Sequence, residues 1–207
     1  MLRFKTRVEA GEQLAKFLAE LKLEQGAVLG IPRGGVVVAK VVAEKLGWPL
    51  EVIVTKKLGY PNNPELAVGA VAEEGEPVWD ERFKGRIDRQ YLKEEEERVR
   101  EKIKGYVKKF RNGVPLGQRL RGIKTVVLID DGIATGMTME AAIKYLQGLS
   151  LKVVVAVPVA AKDTEARLKP KVDKWVSLYT TDDFWAVGQF YEDFPQVADE
   201  EVIKLLQ

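Results

Sequence analysis

Cysteine and histidine are both absent from this 207-residue chain. The first absence excludes disulfides, thiolate metal sites and a thiol nucleophile, and the second excludes imidazole ligands and bases. Any proton transfer must therefore run through Asp, Glu, Lys, Tyr or a substrate. Long apolar runs are missing as well. No stretch reaches the roughly 18 residues of a membrane helix, and the amino terminus lacks a signal-peptide hydrophobic region, so the expectation is a soluble cytoplasmic protein without a membrane partner. An excess of one charge is also lacking: 33 basic residues stand against 31 acidic ones, a net +2. That balance gives no general pull toward nucleic acid, and anion sites have to be sought locally. There is no internal repeat and no low-complexity linker. With 46% hydrophobic and 31% charged residues, the chain has enough apolar surface for one substantial core, organised as a single domain with a subdomain.

What is present is an alternation of helical and strand patterns. Leu14, Phe17, Leu18 and Leu21 repeat at helical spacing and predict a helix over 7–23. A strand over 27–31, a helix over 34–46 and a strand over 50–55 follow, which is a βαβ unit and implies parallel pairing. A helix over 138–148 and a strand over 152–159 repeat the unit. Between the two units comes the stretch Thr125 to Thr138, TVVLIDDGIATGMT. Val126 to Ile129 suit a strand buried on both faces, with Asp130 and Asp131 emerging at its carboxyl end, where open α/β sheets bind ligands. Ala134 to Thr138 can wrap a phosphate with backbone N–H groups. Gly136 permits close approach, and the following helix adds its positive end. Carboxylates beside an anion cradle suit a sugar phosphate. A Walker B strand looks similar, but Gly30-IPRG-Gly35 is followed by Val36 rather than Lys-Ser/Thr.

The segment resembles the phosphoribosyl pyrophosphate (PRPP) site of the type I phosphoribosyltransferases: a hydrophobic strand, two acids, two small or apolar residues, then A/D-T-G-x-T. The resemblance implies a doubly wound, mainly parallel α/β sheet with a core over about 20–170. A helical insertion over about 80–120 and a small hood from the chain ends, including about 171–207, complete the expected domain. It implies that Asp130 and Asp131 hold the ribose hydroxyls and act in catalysis with Arg33, while Ala134, Thr135, Gly136, Met137 and Thr138 bind the 5′-phosphate. The turn Gly30 to Gly35 corresponds to the family's pyrophosphate loop, so Arg33, Gly34 and Gly35 are expected there with Lys56 and Lys57. A cis peptide between Pro32 and Arg33 is expected with it. Magnesium bound with PRPP, and a nucleobase-like nitrogen acceptor displacing pyrophosphate, complete the implied reaction. A PRPP-binding regulator without turnover is the alternative.

The acceptor end is less specific. Phe184 to Asp193 resembles the base-binding segment of the hypoxanthine-guanine branch, which would set Trp185 against the base, Lys162 near its oxygen and Glu192 on magnesium. Core packing of these aromatics is the competing reading. Ala134 instead matches adenine-type enzymes, where the hypoxanthine-guanine branch has an Asp base. The segment from Lys57 to Gly75 resembles a group of phosphoribosyltransferases of unassigned substrate. Residues 86–111 run from EEEE at 94–97 to a basic tail, with an apolar stripe of Val99, Ile103, Tyr106 and Phe110. That pattern predicts a long solvated helix packing on the body or on a partner, as a lid or a homodimer contact, with its charges facing water.

Overall fold

The computed structural model describes residues 3–207, apart from the Glu65 side chain. Its elements run α1 (Arg7–Glu20), β1 (Ala27–Gly30), α2 (Gly34–Leu46), β2 (Leu50–Val52), β3 (Thr55–Tyr60), β4 (Asn63–Ala72) and β5 (Val78–Trp79). Then follow α3 (Arg89–Arg111), α4 (Leu116–Arg119), β6 (Thr125–Ile129), α5 (Met137–Gly148), β7 (Lys152–Ala161), α6 (Lys162–Leu168), β8 (Lys174–Thr181) and α7 (Asp199–Leu205).

Five strands form a parallel sheet in the order β2-β1-β6-β7-β8. Alternate residues of these apolar strands serve opposite faces. Val28, Val127 and Ile129 pack under Leu14 and Leu18 of α1 and Val38 and Val42 of α2. Leu29, Val126 and Leu128 pack under Met139, Ile143 and Leu146 of α5. Helices thus cover both faces, as the continuous hydrophobic runs of the strands require. From β1 the chain moves outward to β2, and from β6 it moves the other way to β7 and β8. The strand order reverses between β1 and β6, and the carboxyl ends of these two strands mark the switch point.

Helix α2 matches its expected span, while α1 ends at Glu20 and the expected strand 50–55 is divided. The Val54 N–H leaves the sheet to donate to Glu73 Oε1 at 2.9 Å. From Thr55 the chain starts a second, antiparallel sheet, β3-β4-β5, that the sequence pattern had not disclosed. Its register shifts around Gly59 and its glycines break the alternation on which strand recognition depends. A Cβ on Gly69 would meet the Trp79 ring at 2.8 Å.

Helix α3, capped by Asp88 and closed by Asn112 at φ 53°, falls inside the expected insertion. Val99, Ile103 and Phe110 are buried with Leu58, Val68 and Val202. Its apolar stripe is therefore spent on the hairpin and α7 of its own chain. The expected core is corrected at both ends: α1 covers one sheet face, and β8 completes the sheet. Outside the main sheet, the chain ends comprise the first residues, about 182–198 and α7. There, Phe4 forms a parallel bridge to Tyr191, and Glu192 N–H donates to the Phe4 carbonyl at 2.8 Å. The first two residues of the expected hood lie outside the described residues.

Candidate functional site

Asp130 and Asp131 stand where β6 ends, at the switch crevice, and the amino terminus of α2 lies directly over them. A Cβ added to Gly34 would fall 1.9 Å from Asp131 Oδ2, and one added to Gly35 would fall 2.8 Å from Asp130 Oδ1. Both glycines are there because the helix backbone touches the carboxylates. The α2 turn and the acid pair, far apart in sequence, form one unit. The Asp131 N–H donates to Asp130 Oδ1 at 2.9 Å.

The pair has a partner that sequence reasoning missed. Arg7 Nε donates to Asp131 Oδ2 at 2.8 Å, with the Arg7 side chain only 8% exposed. Its Nη1 donates to the Pro195 carbonyl at 2.8 Å, and the guanidinium lies 3.7 Å from the centroid of Phe194. Tyr191 Oη donates to the Asp131 carbonyl at 2.6 Å. Burial pushes both carboxyls above the ordinary range, and Asp130 goes further because the Asp131 charge lies beside it. The Arg7 guanidinium opposes the rise at Asp131. A lone Arg at the start of an amphipathic helix carries no sequence signal for this role.

The loop 134–138 is held from behind. Thr164 Oγ1, on α6, donates to the Ala134 carbonyl at 2.6 Å, and Arg167 Nη2 donates to the Thr135 carbonyl at 2.6 Å. Two of its carbonyls are thereby drawn toward α6. Gly136 sits at φ 71° and caps α5, and a Cβ there would lie 2.5 Å from Thr164 Cγ2. Only glycine meets both conditions. Thr135 is exposed, Ala134 and Thr138 are partly exposed, and Met137 is buried. Met137 can offer its backbone but has its side chain in the core.

Across the crevice, the Pro32–Arg33 peptide is cis, as expected for the turn. Pro32 and Arg33 line a cavity of about 330 Å³ with Val54, Thr55, Lys56 and Tyr106. Arg33 is 45% exposed, and its Nη1 lies 3.8 Å from Asp199 Oδ1. Lys56 extends over the Tyr106 ring at 4.2 Å, so it faces the same cavity as Arg33. Lys57 is exposed and lines the adjoining cleft.

At the third corner, β7 carries the chain to Lys162 immediately after Ala161, whose N–H donates to the Ile133 carbonyl at 2.9 Å. Gly132 leaves no space for a Cβ because Val187 would be 2.6 Å away. The 182–193 segment is therefore seated on the acid turn itself. Lys162 is exposed and pairs with Asp182 at 2.9 Å. Of the aromatics there, Phe190 and Tyr191 are core residues, whereas Trp185 is 87% exposed. Its indole N–H donates to Asp183 Oδ1 at 2.6 Å, and Gln189 Oε1 accepts from its backbone N–H at 2.8 Å. The core reading thus holds for the neighbours and not for Trp185. Glu192 is exposed. Among the described residues, no group of three or more His, Cys, Asp or Glu side chains converges on a metal position.

Comparison with known proteins agrees with this arrangement. The family model of the phosphoribosyl transferase domain matches residues 5–195. A Mycobacterium tuberculosis protein provisionally named a phosphoribosyl transferase is 41% identical over 212 residues, covering all of this chain and 47% of that protein. The chain thus spans about half the length of the curated relatives it matches. Among solved structures, TT1426 from Thermus thermophilus is 43% identical, with a TM-score of 0.81 over 99% of this chain and 98% of that one. A hypothetical protein from Neisseria gonorrhoeae, solved with bound ppGpp, shares the fold at 18% identity and a TM-score of 0.57, over 99% of this chain and 94% of its own.

Proposed function

Given that the chain belongs to the phosphoribosyl transferase domain family, we propose that its crevice binds PRPP and transfers the phosphoribosyl group to a nitrogen acceptor, a nucleobase or a close analogue, with release of pyrophosphate. The observation that carries this reading is the convergence of Asp130–Asp131, the loop 134–138 and the Gly30–Gly35 turn at one switch point. In the reaction the bond from C1′ to the pyrophosphate oxygen breaks and a bond from C1′ to the acceptor nitrogen forms. Positive charge develops on the ribose in between.

Each part of the crevice has a role suited to that charge movement. Asp130 accepts from the ribose hydroxyls, and the Arg7-paired Asp131 braces it. Loop N–H groups and the Thr135 and Thr138 hydroxyls hold the 5′-phosphate at the head of α5. Arg33, with Lys56 and Lys57, receives the leaving pyrophosphate. Trp185 offers a stacking face to the acceptor, beside Lys162. Positioning and charge stabilisation of this kind need neither His nor Cys.

The donor set also suits magnesium. Its oxygens are hard, and magnesium is ordinarily held by one or two carboxylates together with substrate phosphates and water, which asks for no larger protein cluster. Asp130 is the carboxylate best placed to share it, with Glu192 a more distant candidate. When bound, the ion neutralises the leaving pyrophosphate.

Pyrophosphate release from PRPP and magnesium, followed across a panel of nitrogen heterocycles, tests the proposal. Release that depends on one acceptor class and is lost in Asp130→Asn is the expected result. PRPP binding without release for any acceptor would favour a regulatory protein. The open setting of Trp185, with no wall over its exposed ring, is the feature that keeps that second reading in view.

A further inference from the structure

The charged tail of α3 is exposed, as its sequence implies, and it also lines a cleft. Arg98, Lys102, Gly105, Tyr106 and Lys109 recur at helical spacing on one face of α3, and that face looks across at Lys56, Lys57 and Gly59 of β3. The cleft has a volume of about 640 Å³. It shares two lining residues, Lys56 and Tyr106, with the smaller cavity beside Arg33. Its floor is built rather than accidental. Glu95, 6% exposed, accepts from the Gly59 N–H at 3.0 Å and from Arg98 Nε at 2.8 Å, and Tyr91 Oη donates to the Gly59 carbonyl at 3.1 Å. The hairpin and the helix are thereby fixed to each other, with Arg98 held at the cleft.

The charge of this cleft is one-sided. Its lining carries five cations, Lys56, Lys57, Arg98, Lys102 and Lys109, and two carboxylates, Glu95 and Asp199. Arg98 is paired with Glu95, and Lys109 lies 2.7 Å from Asp199 and 3.6 Å from Glu200, so the excess rests on Lys56, Lys57 and Lys102. A surface concentrating one sign of charge in a walled cleft attracts counter-charge from solution. Lysine ammonium groups on flexible stems bind phosphate oxygens as point charges without demanding one ligand geometry.

We propose that this cleft binds a chain of three or more linked phosphates, an inorganic polyphosphate or the tail of a nucleoside polyphosphate, whose first two phosphates occupy the pyrophosphate position at Arg33. The inference rests on the leaving-group assignment made above and extends it. A ligand with more than two phosphates gains the cations of α3, competes with PRPP for the Arg33 end, and so links the level of such polyanions to use of the crevice. Because the cations are exposed, the added affinity is screened by salt.

Calorimetric titration with pyrophosphate, tripolyphosphate, tetrapolyphosphate and a nucleoside triphosphate, at one fixed free magnesium concentration, tests this. Affinity is expected to rise at least tenfold from pyrophosphate to tetrapolyphosphate, and the rise is expected to shrink at high ionic strength. Lys102→Glu should remove most of the rise while leaving pyrophosphate affinity within about twofold. Lys109→Gln, also at the surface, gives an independent reduction should Lys102→Glu disturb the fold, which a melting curve would show. A nucleoside triphosphate as tight as tripolyphosphate assigns recognition to the phosphates alone. Equal affinity for every chain length with pyrophosphate intact, or a rise indifferent to both variants, overturns this inference and leaves the proposed function standing. Failure of pyrophosphate itself to bind overturns the leaving-group assignment too. Single-stranded RNA that binds more tightly than tetrapolyphosphate, with the same dependence on Lys102, assigns the cleft to nucleic acid and overturns it.

Discussion

Asp130 and Asp131 are neighbouring carboxyls that burial raises by different amounts. Asp130 is a carboxyl whose folded-state affinity for a proton is raised by burial and by the Asp131 charge. Its contribution to stability is therefore present below the ordinary carboxylate range and lost as pH rises through its raised value. At pH 7 the ionised form is a net burden. Asp130→Asn should raise the melting temperature of the unliganded protein at pH 7, by about 2–4 °C for each 1 kcal/mol relieved. The difference from wild type should vanish at acidic pH. The same proton works against ligand: PRPP affinity at saturating magnesium should weaken as pH falls through the raised range, and a pH series of calorimetric titrations measures it. Asp131→Asn should raise stability less, because relief of the buried carboxylate is opposed by loss of the Arg7 partner, and melting curves of the two single variants side by side measure the difference. Trp185 belongs to this scale as well. Since the ring is exposed, Trp185→Ala should leave the melting temperature within about 1 °C while weakening acceptor binding roughly tenfold, the order of one base-stacking contact. Unchanged acceptor affinity would remove Trp185 from the site.

At the scale of elements, helix α6 acts on the phosphate loop without touching ligand. Thr164→Val removes the hydrogen bond to the Ala134 carbonyl at nearly constant volume. It should weaken PRPP binding about tenfold, the worth of about 1–1.5 kcal/mol, with a smaller change in the acceptor constant. Thr164→Ser should restore it, and steady-state kinetics in both substrates separates the two effects. How far each element was legible in the sequence follows from the range of the interactions that make it. The strand ending in Asp130, the glycine turn and α2 are fixed by residues adjacent in the chain, and their patterns are local. The antiparallel sheet was hidden because its hydrogen bonds join 55–72 across a register shift at Gly59. The hood was drawn too large because β8 has mostly half-buried residues at a sheet edge and lacks the continuous burial of β6 and β7. Arg7 and Thr164 were invisible for the same reason in stronger form: each acquires its role from a residue 124 or 30 positions away. The basic face of α3 is exposed, and only the fold sets β3 opposite to it.

For the whole molecule, the main sheet places the acid pair, the loop 134–138 and the glycine turn at one edge, and the second sheet with α3 builds a cationic wall beside them. The account stands or falls on whether that edge recognises PRPP. A ligand bound only by the folded state stabilises it by about 2.7 kcal/mol at a hundredfold excess over Kd, which for a chain of this length is a rise of roughly 5–10 °C in melting temperature. The most direct measurement is a thermal unfolding curve of the wild-type protein with millimolar PRPP and magnesium, beside the same curve for Asp130→Asn. The account predicts a magnesium-dependent rise of that size in wild type and the loss of most of it in the variant. A well-folded wild-type protein whose melting temperature does not respond to PRPP and magnesium, or a variant that responds as fully, would contradict it.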